Sequence, residues 1–181
     1  MKVIAISGRA QHGKDTIASM MKEQLEGKES KVLITHYADL LKYICKAYLN
    51  WNGEKDDDGR RLLQHVGTDL VRRKEPDFWV DFIISILNFF DDRWDYILIP
   101  DVRFKNEVSK LKESGFDVLH IHIDRPHFDN GLNGDLSTHI SETEIMNVEP
   151  DYCIHNDGTL QDLKDKIIEW IKENLAYANN E

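Results

Sequence analysis

Gly8-Arg9-Ala10-Gln11-His12-Gly13-Lys14-Asp15-Thr16 decides how this chain folds. Before it, Lys2-Val3-Ile4-Ala5-Ile6-Ser7 is a short apolar run that reads as a buried strand. After it, Ile17, Met20, Met21 and Leu25 recur at helical spacing until Gly27 offers a stop. Strand, glycine loop and helix in that order are the context a phosphate-binding P-loop requires. The glycines let backbone N–H groups converge on phosphate oxygens, and the helix N-terminus adds a favourable dipole. Lys14 supplies a mobile point charge for the terminal phosphates. The spacing alone arises by chance in roughly one chain in twenty of this length, so the flanking strand and helix make the reading. One departure is visible: Asp15 stands where Ser or Thr usually binds Mg²⁺, with Thr16 one place later. A carboxylate is a hard oxygen ligand suited to Mg²⁺, acting directly or through a water, with Thr16 then touching a phosphate.

Outward from the loop, Lys31 to His36 reads as a second strand. Asp39 stands where an N-cap would, before Leu40, Leu41, Ile44, Cys45 and Tyr48 at helical spacing. An acidic loop, Trp51 to Gly59, precedes a helix expected from about Arg60 to Lys74. One side of that helix is apolar (Leu62, Leu63, Val66, Leu70), and the other carries Arg60, Arg61, Gln64, Arg72 and Arg73. Pro76-Asp77 opens an apolar helix, Phe78 to Phe90, expected to pack under the sheet. Trp94 to Ile99 is a third strand ending at Pro100-Asp101, and Phe104, Val108 and Leu111 stripe a helix closed by Gly115. Val118 to Ile123 is the fourth strand. The segment from Asp124 to Thr138 contains Pro126, Gly131 and Gly134 and little apolar content, the pattern of a lid or a disordered loop. Tyr152 to His155 is a short fifth strand, Thr159 and Asp162 form a capping box, and Leu160, Leu163, Ile167, Trp170 and Ile171 stripe the last helix. Strands alternating with helices predict an α/β fold with a parallel sheet covered on both faces.

Composition bounds the function. With 181 residues, 41% of them hydrophobic, the chain is expected to form a single domain, 1–181, with the lid at about 125–138. A net charge of −10 argues against nucleic acid as a partner, whereas a small nucleotide carried with Mg²⁺ needs only a local basic cluster. Cys45 and Cys153 give neither a disulfide framework nor metal spacing, fit a cytoplasmic protein, and are both expected in the core. Met1 runs directly into the first strand, so no signal peptide is expected. No membrane span is expected either, because Ser85 and Asn88 break the longest apolar stretch. Nothing in the sequence sets the oligomeric state.

In open α/β sheets ligands bind beyond the carboxyl ends of the strands. That rule gathers the P-loop, Asp39 and Lys42 after strand two, Asp101 and Arg103 after strand three, Arg125 after strand four and Asn156 after strand five. Asp101 can hold Mg²⁺ directly or through water, or cap a helix starting near Val102, or do both. Arg103 in a helix's first turn opposes the dipole, which points to a ligand role. At least one of Arg60, Arg61, Arg72 and Arg73 is expected to face the cleft. His120 and His122 share a strand face, but two histidines without a third ligand read as structural.

These residues carry a resemblance. The chain resembles the deoxynucleoside monophosphate kinases of phages and bacteria, within the P-loop nucleoside and nucleotide kinases. The matching stretches are the GKD-type P-loop, Ala38 to Lys42, Leu63-Gln64-His65-Val66-Gly67-Thr68-Asp69 running to Arg72, Trp79, Asp101-Val102-Arg103-Phe104-Lys105-Asn106-Glu107, and His139-Ile140-Ser141-Glu142. The resemblance implies an adenylate kinase-like fold with sheet order 2-3-1-4-5 and transfer of the ATP γ-phosphate to the 5′-phosphate of a deoxynucleoside monophosphate. It implies that Gly8, Gln11, His12, Gly13, Lys14, Asp15 and Thr16 hold ATP, that Asn156 lies near the adenine, and that Asp15, Thr16 and Asp101 surround Mg²⁺. Asp39, Lys42, Arg72 and Arg103 would sit at the acceptor monophosphate, Gln64 and Trp79 at its nucleoside, and Arg125 would descend from the lid onto the transferring group. Alternatives of other kinds are a dephospho-coenzyme A or phosphomevalonate kinase-like enzyme, and a module that binds ATP without transfer.

Overall fold

Period-two alternation splits the central strand between two cores. In β1 (Lys2–Ser7), Val3 and Ala5 face one core and Ile4 and Ile6 the other, and all four are fully buried. A strand apolar on both faces belongs in the middle of a parallel sheet. The computed structural model describes residues 1–128, 131 and 135–175. In it β1 pairs in parallel with β3 (Tyr96–Val102) on one side and β4 (Asp117–Asp124) on the other. β2 (Val32–Ile34) extends the sheet beyond β3, and β5 (Tyr152–His155) beyond β4. The order is β2-β3-β1-β4-β5, as expected.

Helices cover both faces. α1 (Lys14–Glu26) and α8 (Leu160–Asn174) bury Ile17, Met21, Leu163 and Ile167 against Ile4, Ile6, Leu98 and Ile121. The expected Thr159–Asp162 capping box starts α8, with Asp162 N–H donating to Thr159 Oγ at 3.2 Å. On the other face α2 (Ala38–Tyr48), α4 (Phe78–Phe89) and α5 (Lys105–Glu113) pack Leu41, Cys45, Val80, Ile83, Leu87 and Leu111 over Val3, Ala5, Ile97 and Ile99. Each such fully buried branched side chain contributes about 1.5–3 kcal/mol.

Several local expectations are corrected. The helix expected at 60–74 begins earlier, as α3 (Asp57–Gln64), because Asp56 Oδ1 accepts the N–H of Gly59 at 2.8 Å and so caps it. It then gives way to a π-helix over His65–Arg72. Asp39 is not the N-cap of α2. It lies in the first turn, and its carboxylate reaches back to the N–H of His36 at 3.1 Å. Nor does Asp101 cap a helix starting near Val102, since β3 runs through it and α5 starts only at Lys105. Cys153 is exposed, because the residues at β5's edge position lack a covering helix, while Cys45 is buried. After β4 the chain forms two short helices, α6 (Asp135–Thr138) and α7 (Ile140–Thr143). Residues 129, 130 and 132–134 of the expected lid lie outside the described residues.

Candidate active site

The loop between β1 and α1 takes its shape from two glycines. Gly8 has φ +143°, and a Cβ there would lie 2.4 Å from the carbonyl oxygen of Ile123 in β4. Gly13 has φ +94°, and its Cβ would meet Nδ2 of Asn156 at 2.8 Å. No other residue type fits either place without moving backbone or the Asn156 amide. Asn156 also donates from Nδ2 to the carbonyl of His12 at 3.0 Å, so it braces the loop from β5's end. His12 is buried, and its Nδ1 accepts the backbone N–H of Arg125 at 3.2 Å. Burial lowers its pKa, which keeps the ring neutral and able to accept that bond. Below the loop, Ser7 Oγ bridges His120 Nε2 (2.8 Å) and His122 Nδ1 (3.0 Å), so these histidines join β4 to β1. Burial depresses both, His120 to about 4.

Lys14 curls back over the loop it follows. Its Nζ donates to the carbonyls of Gly8 and Arg9, both at 2.8 Å, and the side chain is almost wholly buried. Desolvation, and then the nearby Arg103, lower its pKa to about 8. Asp15 points out from the first turn of α1 and meets His36, whose Nε2 lies 2.8 Å from Oδ1. The other ring nitrogen of His36 is 3.3 Å from Asp39 Oδ2, and Asp39 in turn accepts from Lys42 Nζ at 3.3 Å. The bond to Asp15 raises the His36 pKa, and the same bond lowers that of Asp15. Asp101 uses both carboxylate oxygens on α2: Oδ1 accepts the N–H of Tyr37 and Oδ2 that of Ala38, each at 3.0 Å. Those are N–H groups that a helix start leaves unsatisfied.

Two arginines are held by carboxylates, one buried and one half-buried. Arg72 Nη2 lies 2.5 Å from Oε1 of Glu107, its Nη1 donates to Asn106 Oδ1 and Pro76 O, and its guanidinium stacks 3.8 Å from the Phe104 ring centroid. Only Nε, buried, lacks a partner among the described residues. Glu107 is 2% exposed, and its other oxygen accepts the backbone N–H groups of Arg103 (2.7 Å) and Phe104 (3.0 Å). Burial pushes its pKa up to about 7, against the pull of Arg72. The guanidinium of Arg103 pairs with Glu142 and donates to the carbonyl of Ser141 at 2.9 Å.

These groups enclose a cavity of about 410 Å³ on the carboxyl side of the sheet, within the range of small-molecule sites. Of the residues singled out from sequence, Gln11, Lys14, Asp15, Lys42, Gln64, Arg72, Trp79, Asp101 and Arg103 line it. Gly8, His12, Gly13 and Asn156 instead shape the loop behind it, and Asp39 acts through His36 and Lys42. Thr16 is exposed and outside the lining; Arg125, half-buried, also lies outside it, with its guanidinium 4.0 Å from the Phe128 ring centroid. Within the arginine group, Arg60 and Arg72 face the cavity, whereas Arg61 and Arg73 are exposed outside it. Trp79 is both core and wall, and its Nε1 donates to the carbonyl of Gly67 in the π-helix at 2.9 Å. Sequence reasoning missed His36, Lys55, Glu107 and Glu142. The last two stand inside stretches quoted for the resemblance, and His36 ends β2's approach to the site. Lys14, Lys42, Lys55, Arg60, Arg72 and Arg103 outnumber the lining carboxylates Asp15, Asp101, Glu107 and Glu142, inside a protein of net charge −10.

A parallel 2-3-1-4-5 sheet with a P-loop after β1 and a cationic cavity at its carboxyl edge is the arrangement of a P-loop kinase. Comparison with solved structures agrees on the fold: an unliganded sugar kinase from Janibacter sp. superposes with a TM-score of 0.55 over 99% of both chains, at 15% identity. The sequence profile of deoxynucleotide monophosphate kinase matches residues 28–167, and this chain belongs to that family. The matched range starts beyond the P-loop, so the loop is an independent observation. The deoxynucleotide monophosphate kinase of Enterobacteria phage T4 is 32% identical over 165 residues, covering 89% of this chain and 62% of that protein. That of Escherichia phage RB69 is 30% identical over 147 residues, covering 79% of this chain and 54% of its own length. The chain thus spans between half and two thirds of these relatives. Among the described residues, no helix is long and apolar enough to cross a membrane.

Proposed function

We propose that this chain transfers the γ-phosphoryl group of ATP to the 5′-phosphate of a deoxynucleoside monophosphate, forming ADP and the diphosphate in the cytoplasm. The observation that carries the reading is one cavity shared by the P-loop lysine and a cationic wall built from α2, α3 and β3's end. Phosphoryl transfer needs little covalent help from a protein. It needs two phosphates held in line, their charge offset and water kept out.

The residues divide that work. Lys14 Nζ donates to two loop carbonyls, and phosphate oxygens would replace them as its acceptors. Backbone N–H groups of Gln11 to Lys14 would hold the β- and γ-phosphates at the start of α1. Asn156 supports this loop from behind, and in this reading it also lies near the adenine of ATP. Lys42 and Arg103 line the side proposed for the acceptor monophosphate, and Gln64, Thr68 and Trp79 line the part that would take the nucleoside. Arg125 enters the loop's surroundings through its bond to His12, from which it could reach a transferring group. Asp15 and Asp101 are hard oxygen donors on either side of Lys14, suited to Mg²⁺ held through water, with Thr16 beside them on α1. Among the described residues no three such side chains converge to hold a metal unaided, which fits a cation arriving on the triphosphate. Bound there, Mg²⁺ would offset charge on the β- and γ-phosphates.

The test is ADP release, measured with ATP against every ribo- and deoxynucleoside monophosphate. We expect turnover with at least one deoxynucleotide at higher kcat/KM than its ribo counterpart. A 2′-hydroxyl buried without a partner costs about 1–3 kcal/mol, enough for at least tenfold discrimination. Equal use of all ribonucleotides would remove the deoxy preference, and no turnover with any acceptor would leave only an ATP-binding module.

A further inference from the structure

Among the described residues, two of the cavity-lining cations have neither a hydrogen-bond nor an ion-pair partner; Lys14, a third without an ion pair, is held by two loop carbonyls. Arg72 and Arg103 are paired to Glu107 and Glu142, and Lys42 to Asp39. Lys55 and Arg60 also line the cavity, but among the described residues neither side chain has a hydrogen-bond or ion-pair partner. Acidic residues are close at hand in Asp56, Asp57 and Asp58, in a chain with 33 acidic and 23 basic residues. Asp56 is spent on the start of α3, and Asp57 and Asp58 are exposed without reaching either cation. Partial desolvation of the ammonium, and then Lys42, Arg60 and Arg103, lower the pKa of Lys55 against the pull of Asp15, which is itself bonded to His36. Like charges gathered without a directly paired carboxylate are unfavourable until an anion arrives.

The loop bearing Lys55 is built rather than loose. Trp51 Nε1 donates to the carbonyl of Glu54 at 2.9 Å, and the Glu54 N–H donates to Asn52 Oδ1 at 2.9 Å. Gly59 lies so close that a Cβ there would fall 2.1 Å from the Glu54 carbonyl oxygen, which fixes the loop on α3. Lys55 and Arg60 are thereby presented to the same cavity from one braced unit. We infer that Lys55 and Arg60 form the charge-bearing part of the acceptor-phosphate subsite, while Arg72 and Arg103, already paired with Glu107 and Glu142, chiefly shape its wall. The inference rests on the proposed transfer to a nucleoside monophosphate. Two uncompensated positive charges match the dianionic 5′-phosphate of such an acceptor.

The experiment replaces each cation by methionine, which keeps the stem but removes the charge. With the wild type's best deoxynucleoside monophosphate, Lys55→Met and Arg60→Met should each raise the acceptor KM roughly five- to tenfold, with ATP KM changed less than twofold. Both positions are at the surface, so unfolding midpoints should stay near wild type. In parallel, inorganic phosphate is titrated into the ligand-free full chain and followed by ³¹P NMR, which needs no turnover. If the wild type turns over and the variants keep its acceptor KM within twofold, or lose ATP and acceptor affinity alike, the subsite assignment falls while the kinase reading stands. If the wild type phosphorylates no nucleotide, the kinase reading falls, and phosphate binding decides alone: weaker in both variants upholds an anion site, equal in all three proteins removes it.

Discussion

Alanine at Gly13 tests how the phosphate loop is held in shape. Gly13 sits at φ +94°, where an L residue loses about 1–2 kcal/mol. The added Cβ would also lie 2.8 Å from Nδ2 of Asn156, too close for both to stay. The amide must swing away and abandon its 3.0 Å bond to the His12 carbonyl, a further loss of about 1 kcal/mol. Gly13→Ala should therefore cost about 2–3 kcal/mol, and Asn156→Ala alone about 1 kcal/mol. In the double variant there is no amide to displace and no bond left to lose. Its cost should fall about 1 kcal/mol short of the sum of the singles. Urea unfolding of the four proteins measures this, with matching m-values as the condition for comparing them. By thermal melting Gly13→Ala corresponds to a fall of roughly 4–12 °C for a domain of this size. Additivity within about 0.3 kcal/mol would refute the contact, and with it the view that Asn156 braces the loop.

Three further outcomes follow from the site. Lys14→Ala should lower turnover about a hundredfold or more, some 3 kcal/mol of transition-state stabilisation, and near-normal steady-state turnover would remove Lys14 from the phosphates. Asp101→Asn keeps the shape but weakens the acceptor of the Tyr37 and Ala38 N–H groups, so it should both raise the Mg²⁺ concentration for half-maximal activity and lower stability by about 1 kcal/mol; an unchanged Mg²⁺ titration would place the cation elsewhere. Glu107 has a folded-state pKa of about 7, raised above its ordinary 4.5, so its contribution to stability is fully present below about 4.5 and is lost as pH rises through 7. Glu107→Gln lacks that dependence, so the wild type's urea midpoint should fall relative to the variant's as pH rises from 5 to 8; parallel midpoints, or a relative rise, would refute the shift.

The fold was legible because its signals are local and repeated. β1 and α1 could be read from Val3 to Leu25, where a strand's alternation hands over to helical spacing across two glycines. What the sequence left hidden depends on contacts between distant segments. Nothing near Asp39 announces that its oxygens face His36 and Lys42 rather than cap α2. Asp101 looked like a strand-end ligand or a cap, and only the tertiary arrangement shows it bonded to the first N–H groups of α2, some 60 residues earlier in the chain. The cavity arginines were visible as charges, but their pairing with Glu107 and Glu142 was not, since ion pairs leave no periodicity. Lys55 was submerged in an acidic loop whose net charge has the opposite sign. The π-helix escaped too, because its apolar positions, Val66 and Leu70, suit an α-helix equally well.

That π-helix makes the length of the chain between Gln64 and Arg72 a matter of angle as much as reach. Its hydrogen bonds span one residue more than those of an α-helix, so each turn accommodates a surplus residue. Removing any one residue there would let ordinary α-helical bonding resume without shortening the element's ends by much. Seven residues wound as an α-helix turn nearly as far as eight wound as a π-helix, so the segments on either side would keep close to their present directions. What would go is the widened backbone from which Gly67 offers its carbonyl to Trp79 Nε1. Among homologues, then, a one-residue gap in this stretch would be compatible with the Arg72–Glu107 pair but not with this form of the wall.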